Sequence, residues 1–120
     1  MCGIVGVFTP DREFPESVLT EMRDRLAHRG PDGAGNWIWR ADHGTVALAH
    51  RRLAIIDPLS IAKQPMVSHD RRAVISFNGE IYNYVELRQE LISLGQTFET
   101  TCDTEVLLQA YEVWGEGCIG

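Results

Sequence analysis

Cys2 stands between Met1 and Gly3. A small residue after an initiator Met permits removal of that Met, and Cys2 then carries both a thiol and a free α-amine. Nucleophile and general base would share one residue. An α-amine titrates at about 7.7–8.0, well below a lysine, so part of it is neutral and basic near pH 7. The competing structural reading is a small buried cysteine opening a strand, because Ile4-Val5-Gly6-Val7-Phe8 is an apolar run and buried cysteines are common.

The elements that must position this residue follow from periodicity and punctuation. Residues 4–8 read as a buried strand closed by Thr9-Pro10-Asp11. Pro15 suits a first helical turn, and Leu19, Met22 and Leu26 share one face until Arg29-Gly30-Pro31 stops the helix. Trp37-Ile38-Trp39 and Thr45 to Ala49 read as strands joined across Ala41 to Gly44, with further short strands at Leu53 to Ile56, ended by Asp57-Pro58, and at Val74 to Phe77. Asn83 and Glu86 form a capping-box pattern ahead of Tyr84, Leu87, Leu91 and Leu94, and Gly95 ends that helix. Asp103 is placed to cap a last helix carrying Leu107, Tyr111 and Trp114, broken by Gly115 and Gly117. Strands in hairpin-spaced groups with helices between them indicate α+β with antiparallel sheets.

Composition narrows the function classes. The 120 residues make at most one domain, with 44% hydrophobic and 23% charged residues as in ordinary globular proteins. A net charge of −6 argues against a nucleic-acid or anionic-membrane partner. No apolar run approaches the ~18 residues of a membrane span, and the run at 4–8 is too short for a signal peptide. Cys2, Cys102 and Cys118 form no CxxC pair, which fits free thiols in a reducing cytoplasm better than disulfides or a zinc site. Asp42-His43 and His69-Asp70 read as solvated turns rather than metal sites.

Four clusters accompany Met1-Cys2-Gly3-Ile4-Val5-Gly6. They are His28-Arg29-Gly30-Pro31-Asp32-Gly33, His50-Arg51-Arg52-Leu53-Ala54-Ile55-Ile56-Asp57, Phe77-Asn78-Gly79-Glu80-Ile81-Tyr82-Asn83 and Cys102-Asp103-Thr104-Glu105. In this order they resemble the glutamine amidotransferase domain of the glutamine-hydrolysing asparagine synthetases, a class II, N-terminal-nucleophile type. The resemblance runs from Met1 to about Gly117. It implies that the Cys2 thiolate attacks the side-chain amide of L-glutamine, that ammonia leaves, and that water clears the thioester. Asn78 and Gly79 would supply two oxyanion donors, although Asn-Gly is also a hairpin signal. Here the chain after Asn78-Gly79 runs into a helix start instead of an alternating strand, which favours the oxyanion role.

The resemblance selects Arg52, directly before Leu53, as the bidentate clamp for the substrate α-carboxylate, and leaves Arg51 solvated on the other side of a strand. Glu80 and Asp103 would receive the α-ammonium; Asp103 can also cap a helix, since a carboxylate has several lone pairs. The Arg29–Gly33 stretch reads as a shaping loop near the site, its residues structural and not counted among the site residues.

The implied fold is a four-layer αββα sandwich of antiparallel sheets. Residues 1–120 would be the N-terminal part of the domain, incomplete at its C-terminal end, with a synthetase domain beyond. No metal or cofactor is expected in this chain. ATP and magnesium belong to that downstream domain, which would pass the ammonia to an acceptor carboxylate, usually aspartate. Relatives serving sugar phosphates, purine precursors or surface polysaccharides share several of these motifs, and a non-catalytic glutamine-sensing or assembly module of the same fold is the alternative outside catalysis. The resemblance also leaves room for a homodimer.

Overall fold

A computed structural model describes residues 1–11, 13–53 and 62–120. The chain forms two compact units. The first holds β1 (Gly3–Thr9), α1 (Glu16–Asp24), β2 (Gly33–Ala41) and β3 (Gly44–Arg52), together with Lys63–Pro65 and Ser76–Asn78. Its sheet is antiparallel in the order β1-β3-β2. Gly3 pairs with Arg51 at one end of β1 and Thr9 with Thr45 at the other. The β2–β3 register runs from Gly33↔Arg52 to Ala41↔Gly44, so Asp42-His43 alone turns the hairpin. Gly44 follows with φ +151, and a Cβ there would lie 2.5 Å from Thr9 O. Only glycine fits this turn and this approach.

Alternation along the strands sends Val5, Val7, Ile38, Ala47 and Ala49 to the face that packs with Leu19, Leu26 and Phe14. The two alanines on the central strand let α1 approach, and Leu19 is completely buried; its burial stabilises the unit by roughly 1.5–3 kcal/mol. Asn36, on the same face as Ile38, donates to Thr20 Oγ1 at 2.8 Å and accepts from Arg23 at 3.1 Å. Ile4, Phe8 and Trp39 alternate to the opposite face, where Phe8 is 69% and Trp39 49% exposed.

α1 ends at Asp24, before the expected stop at Arg29-Gly30-Pro31. Tight turns follow, with Leu26 N donating to Arg23 O, Ala27 N to Asp24 O and Arg29 N to Leu26 O. They bring Leu26 onto Gly3, where a Cβ would meet Leu26 Cβ at 2.7 Å. Packing against β1 thus ends the helix earlier than the Gly-Pro signal.

The second unit holds β4 (Met66–Val67), β5 (Val74–Ile75), α2 (Tyr84–Ser93), α3 (Asp103–Trp114) and a closing 3-10 turn at Gly115–Ile119. Leu91, Val106 and Ala110 are buried between α2 and α3, with Tyr84, Leu87, Phe98, Val113 and Trp114 around them. Gly95 (φ +93) and Gly115 (φ +59) end the two helices in left-handed backbone, as the sequence predicts. The strand expected at Val74–Phe77 pairs at Val74 and Ile75 alone. The one expected at Leu53–Ile56 lies, after Leu53, outside the described residues.

Both anticipated caps differ from expectation. Asn83 precedes α2 but makes no side-chain cap bond. The N-cap of α3 is Cys102, and Asp103 is the first helical residue. For Asp103 a donor from another segment, Ile81 N, takes the carboxylate instead. The architecture is α+β with antiparallel sheets, the class anticipated above.

Candidate active site

Cys2 sits one step before β1. Extending the Gly3↔Arg51 register sets it across from Arg52, and β2 contributes Gly33 on the far side of Arg52. Hydrogen bonds fix the half-buried Cys2. Its Sγ accepts from Leu53 N at 3.3 Å and lies 3.9 Å from Leu53 O. Its main-chain nitrogen donates to Asn78 Oδ1 at 3.1 Å. Its carbonyl accepts from Arg29 Nε at 3.1 Å. With Oδ1 so engaged, the donor end of Asn78 is its Nδ2 group. The nitrogen that would become the α-amine on loss of Met1 is therefore already hydrogen-bonded to the proposed oxyanion residue.

Arg52 is half-buried at the end of β3, and its carbonyl accepts from Asp32 N at 2.9 Å. Arg51 corrects an expectation. It is not solvated: it donates to Gly30 O at 2.9 Å, pairs with Asp24 at 3.4 Å and is 17% exposed. The shaping loop is in turn seated on this strand end. A Cβ on Gly30 would lie 2.4 Å from both C and O of Arg51, so backbone must move to accept a side chain. Gly30→Ala is expected to lower stability by about 1–3 kcal/mol and to lower the thermal midpoint correspondingly; an unchanged midpoint would contradict this packing.

His50, the neighbour of these arginines, is 1% exposed. Burial, and secondarily the Arg52 charge, push its pKa down to about 4 from 6.5. The unfolded chain takes up this proton near pH 6.5 and the folded chain only near pH 4, so acidification favours unfolding throughout that window. Stability should fall with a one-proton slope, about 1.4 kcal/mol per pH unit, and be fully restored above pH 6.5. Urea titrations of the full-length protein at pH 5 and 7 check this; an identical slope in His50→Gln would exclude His50 as its source.

In the second unit Asp103 is 6% exposed, and its Oδ2 accepts from Ile81 N at 3.0 Å. That bond ties the segment following the exposed Glu80 to the start of α3. Glu105 braces the turn ahead of Asp103. It accepts from Glu99 N (2.8 Å), Thr100 N (2.7 Å) and Thr100 Oγ1 (2.5 Å), while Arg88 donates to Thr100 O at 2.6 Å. Cys102 is buried with its Sγ 3.0 Å from Thr100 Oγ1. His69 and Asp70 are exposed, as expected of a solvated turn, and the turn is hydrogen-bonded as well: Ser68 Oγ and Arg72 N donate to Asp70, and His69 Nδ1 lies 3.3 Å from Gln109 Nε2. Among the described residues no group of three or more His, Cys, Asp or Glu could hold a metal ion.

Cys2, Arg52 and Asn78 therefore share the first unit, while Gly79, Glu80 and Asp103 belong to the second, where Asp103 is bonded next to Glu80. Sequence reasoning missed Arg29 and His50 as partners of this site. Arg29 carried a signal, a cation directly before the tight Gly30-Pro31 pair. His50 carried none, because its partner lies 26 residues on.

A thiol thus stands at the head of a strand, with its main-chain nitrogen on an asparagine amide. The chain belongs to the glutamine amidotransferase domain family, whose model matches residues 1–120. It is 44% identical to the glutamine-hydrolysing asparagine synthetase of Sandersonia aurantiaca over 121 residues, 99% of this chain and 22% of that protein. It is 44% identical to the glutamine-hydrolysing asparagine synthetase 1 of Bacillus subtilis over 123 residues, 97% of this chain and 18% of that protein. The nodule asparagine synthetase of Pisum sativum is 40% identical over 121 residues, 99% of this chain and 20% of that protein. The chain spans about a fifth of the length of these curated relatives. Among the described residues no helix is long and apolar enough to cross a membrane.

Proposed function

We propose that this chain is the glutaminase part of an asparagine synthetase-like amidotransferase. The observation that carries the reading is the setting of Cys2, with sulfur on the Leu53 N–H and main-chain nitrogen on Asn78. On removal of Met1 the α-amine accepts the thiol proton, and Sγ attacks the side-chain amide carbon of L-glutamine. The tetrahedral oxyanion is met by Asn78 Nδ2 and Gly79 N–H. The amine returns the proton to the departing nitrogen, ammonia leaves, and water then cleaves the γ-glutamyl thioester to glutamate and the free thiol. Arg52 takes the α-carboxylate, and Asp103 with Glu80 takes the α-ammonium.

Residues 1–120 act here as the N-terminal part of the amidotransferase domain. The relatives are about five times as long as this chain, which supports a synthetase domain in the full-length protein. That domain would use ATP and magnesium to amidate an acceptor, aspartate by analogy with the relatives' names. The test of the reading is a glutaminase assay on the full-length protein. Glutamate and ammonia should appear together from glutamine; absence of both would favour a glutamine-sensing module.

Arg52→Lys tests the clamp. Lysine keeps the charge and loses the fork, so KM for glutamine should rise about tenfold with kcat little changed. A fall in kcat at constant KM would place Arg52 in another role.

A further inference from the structure

Ser76, Phe77 and Asn78 form the stretch that ends on the proposed oxyanion donor, and two side chains of the same unit hold it. His50 Nδ1 lies 2.8 Å from Ser76 Oγ. One residue on, Phe77 N donates to Gln64 Oε1 at 2.6 Å. Asn78 Oδ1 then accepts from Cys2 N at 3.1 Å. His50 itself is held on both sides, because β3 is the central strand and His50 pairs with Ile4 on β1 and Gly35 on β2. Gly35 admits the second brace: a Cβ there would lie 2.1 Å from Gln64 O.

The chemistry of His50 excludes a proton-carrying role. Its ring is buried and neutral, and among the described residues Nε2 is buried with no hydrogen-bond partner, so a proton arriving at Nδ1 finds no route onward among them. An unmet lone pair is tolerated better than an unmet N–H, which favours the tautomer with Nδ1–H donating to Ser76 Oγ and Nε2 bare. The bond that the described ring makes is to Ser76, in the segment leading to Asn78.

We propose that His50 is a positioning residue of the glutaminase site: through Ser76 it sets where Asn78 stands relative to the nitrogen and thiol of Cys2. This rests on the reading of Cys2 and Asn78 given above. An oxyanion donor acts as charge develops, so its misplacement slows the chemical step and leaves substrate capture by Arg52 and Asp103 intact.

The experiment is steady-state glutaminase kinetics on the full-length protein with His50→Leu, His50→Asn, Ser76→Ala and the His50→Leu/Ser76→Ala pair, each normalised to folded protein by near-ultraviolet circular dichroism. Asparagine places an amide close to the Nδ1 position. His50→Leu and Ser76→Ala should each lower kcat about tenfold at nearly constant KM, the pair should be no worse than either alone, and His50→Asn should recover most of the loss. Unchanged kcat per folded molecule, a rise in KM alone, additive losses in the pair, or an Asn variant as slow as Leu would each overturn the proposal. Glutamine turnover surviving in Cys2→Ala would instead overturn the underlying reading, whatever the His50 variants do.

Discussion

Cys2→Ala is expected to remove release of ammonia from glutamine while leaving synthesis from added ammonia intact in the full-length protein. In the proposed mechanism the attacking side chain and the main-chain nitrogen that serves as base belong to the same residue, and alanine keeps only the second. With no thiol there is no thioester, and the reaction cannot be divided into two easier steps. Residual glutaminase should lie below ~1% of wild type, given the many orders of magnitude that a nucleophile supplies. Ammonia-dependent synthesis should be insensitive, because the proposed function assigns it to a separate synthetase domain. Separate assays with glutamine and with ammonium salts distinguish the two outcomes. Loss of both would indicate a folding defect, and survival of the first would remove Cys2 from the mechanism.

Asn78→Ala is expected to have the next largest effect. It deletes one of the two proposed oxyanion donors, and such a loss typically costs ~2.7–4 kcal/mol of barrier, about a hundredfold to a thousandfold in kcat. It also removes the Oδ1 that holds the nitrogen of Cys2 at 3.1 Å. KM should change little, since no part of the ground-state clamp is lost. A hairpin residue of purely structural importance would behave differently, lowering the thermal midpoint while kcat per folded molecule stayed the same. Rate and midpoint measured on the same preparation decide between them.

Local patterns in the sequence located much of this architecture. The glycines at 95 and 115 announce helix ends and adopt the left-handed backbone that glycine favours. The β2–β3 hairpin follows from two apolar runs around a polar turn, although both strands extend further than the runs themselves. Tertiary register, in contrast, is not written locally. Arg51 and Arg52 are indistinguishable as neighbours in sequence, and pairing of Gly3 with Arg51 is what commits the Arg51 side chain to Gly30 and Asp24. Asp103 looks like a helix cap because helix caps are read from adjacent residues, yet its carboxylate takes the Ile81 N–H instead. His50 reads as one more polar strand residue until the fold brings Ser76 to it. Polar groups with a choice of partner are where sequence reasoning fails, since the choice is settled by packing that spans the chain.

The most direct measurement is active-site labelling of the full-length protein with an electrophilic ketone analogue of glutamine, followed by peptide mass spectrometry. Cys2, Cys102 and Cys118 compete as thiols, with Cys102 buried and the other two half-buried, so the position of the label is informative. The expected result is one equivalent bound to Cys2 on a peptide lacking Met1, activity lost in proportion to labelling, and protection by glutamine. Label on Cys102 or Cys118 with loss of activity, or full glutaminase activity after Cys2 is modified, would contradict the assignment of Cys2 as the nucleophile.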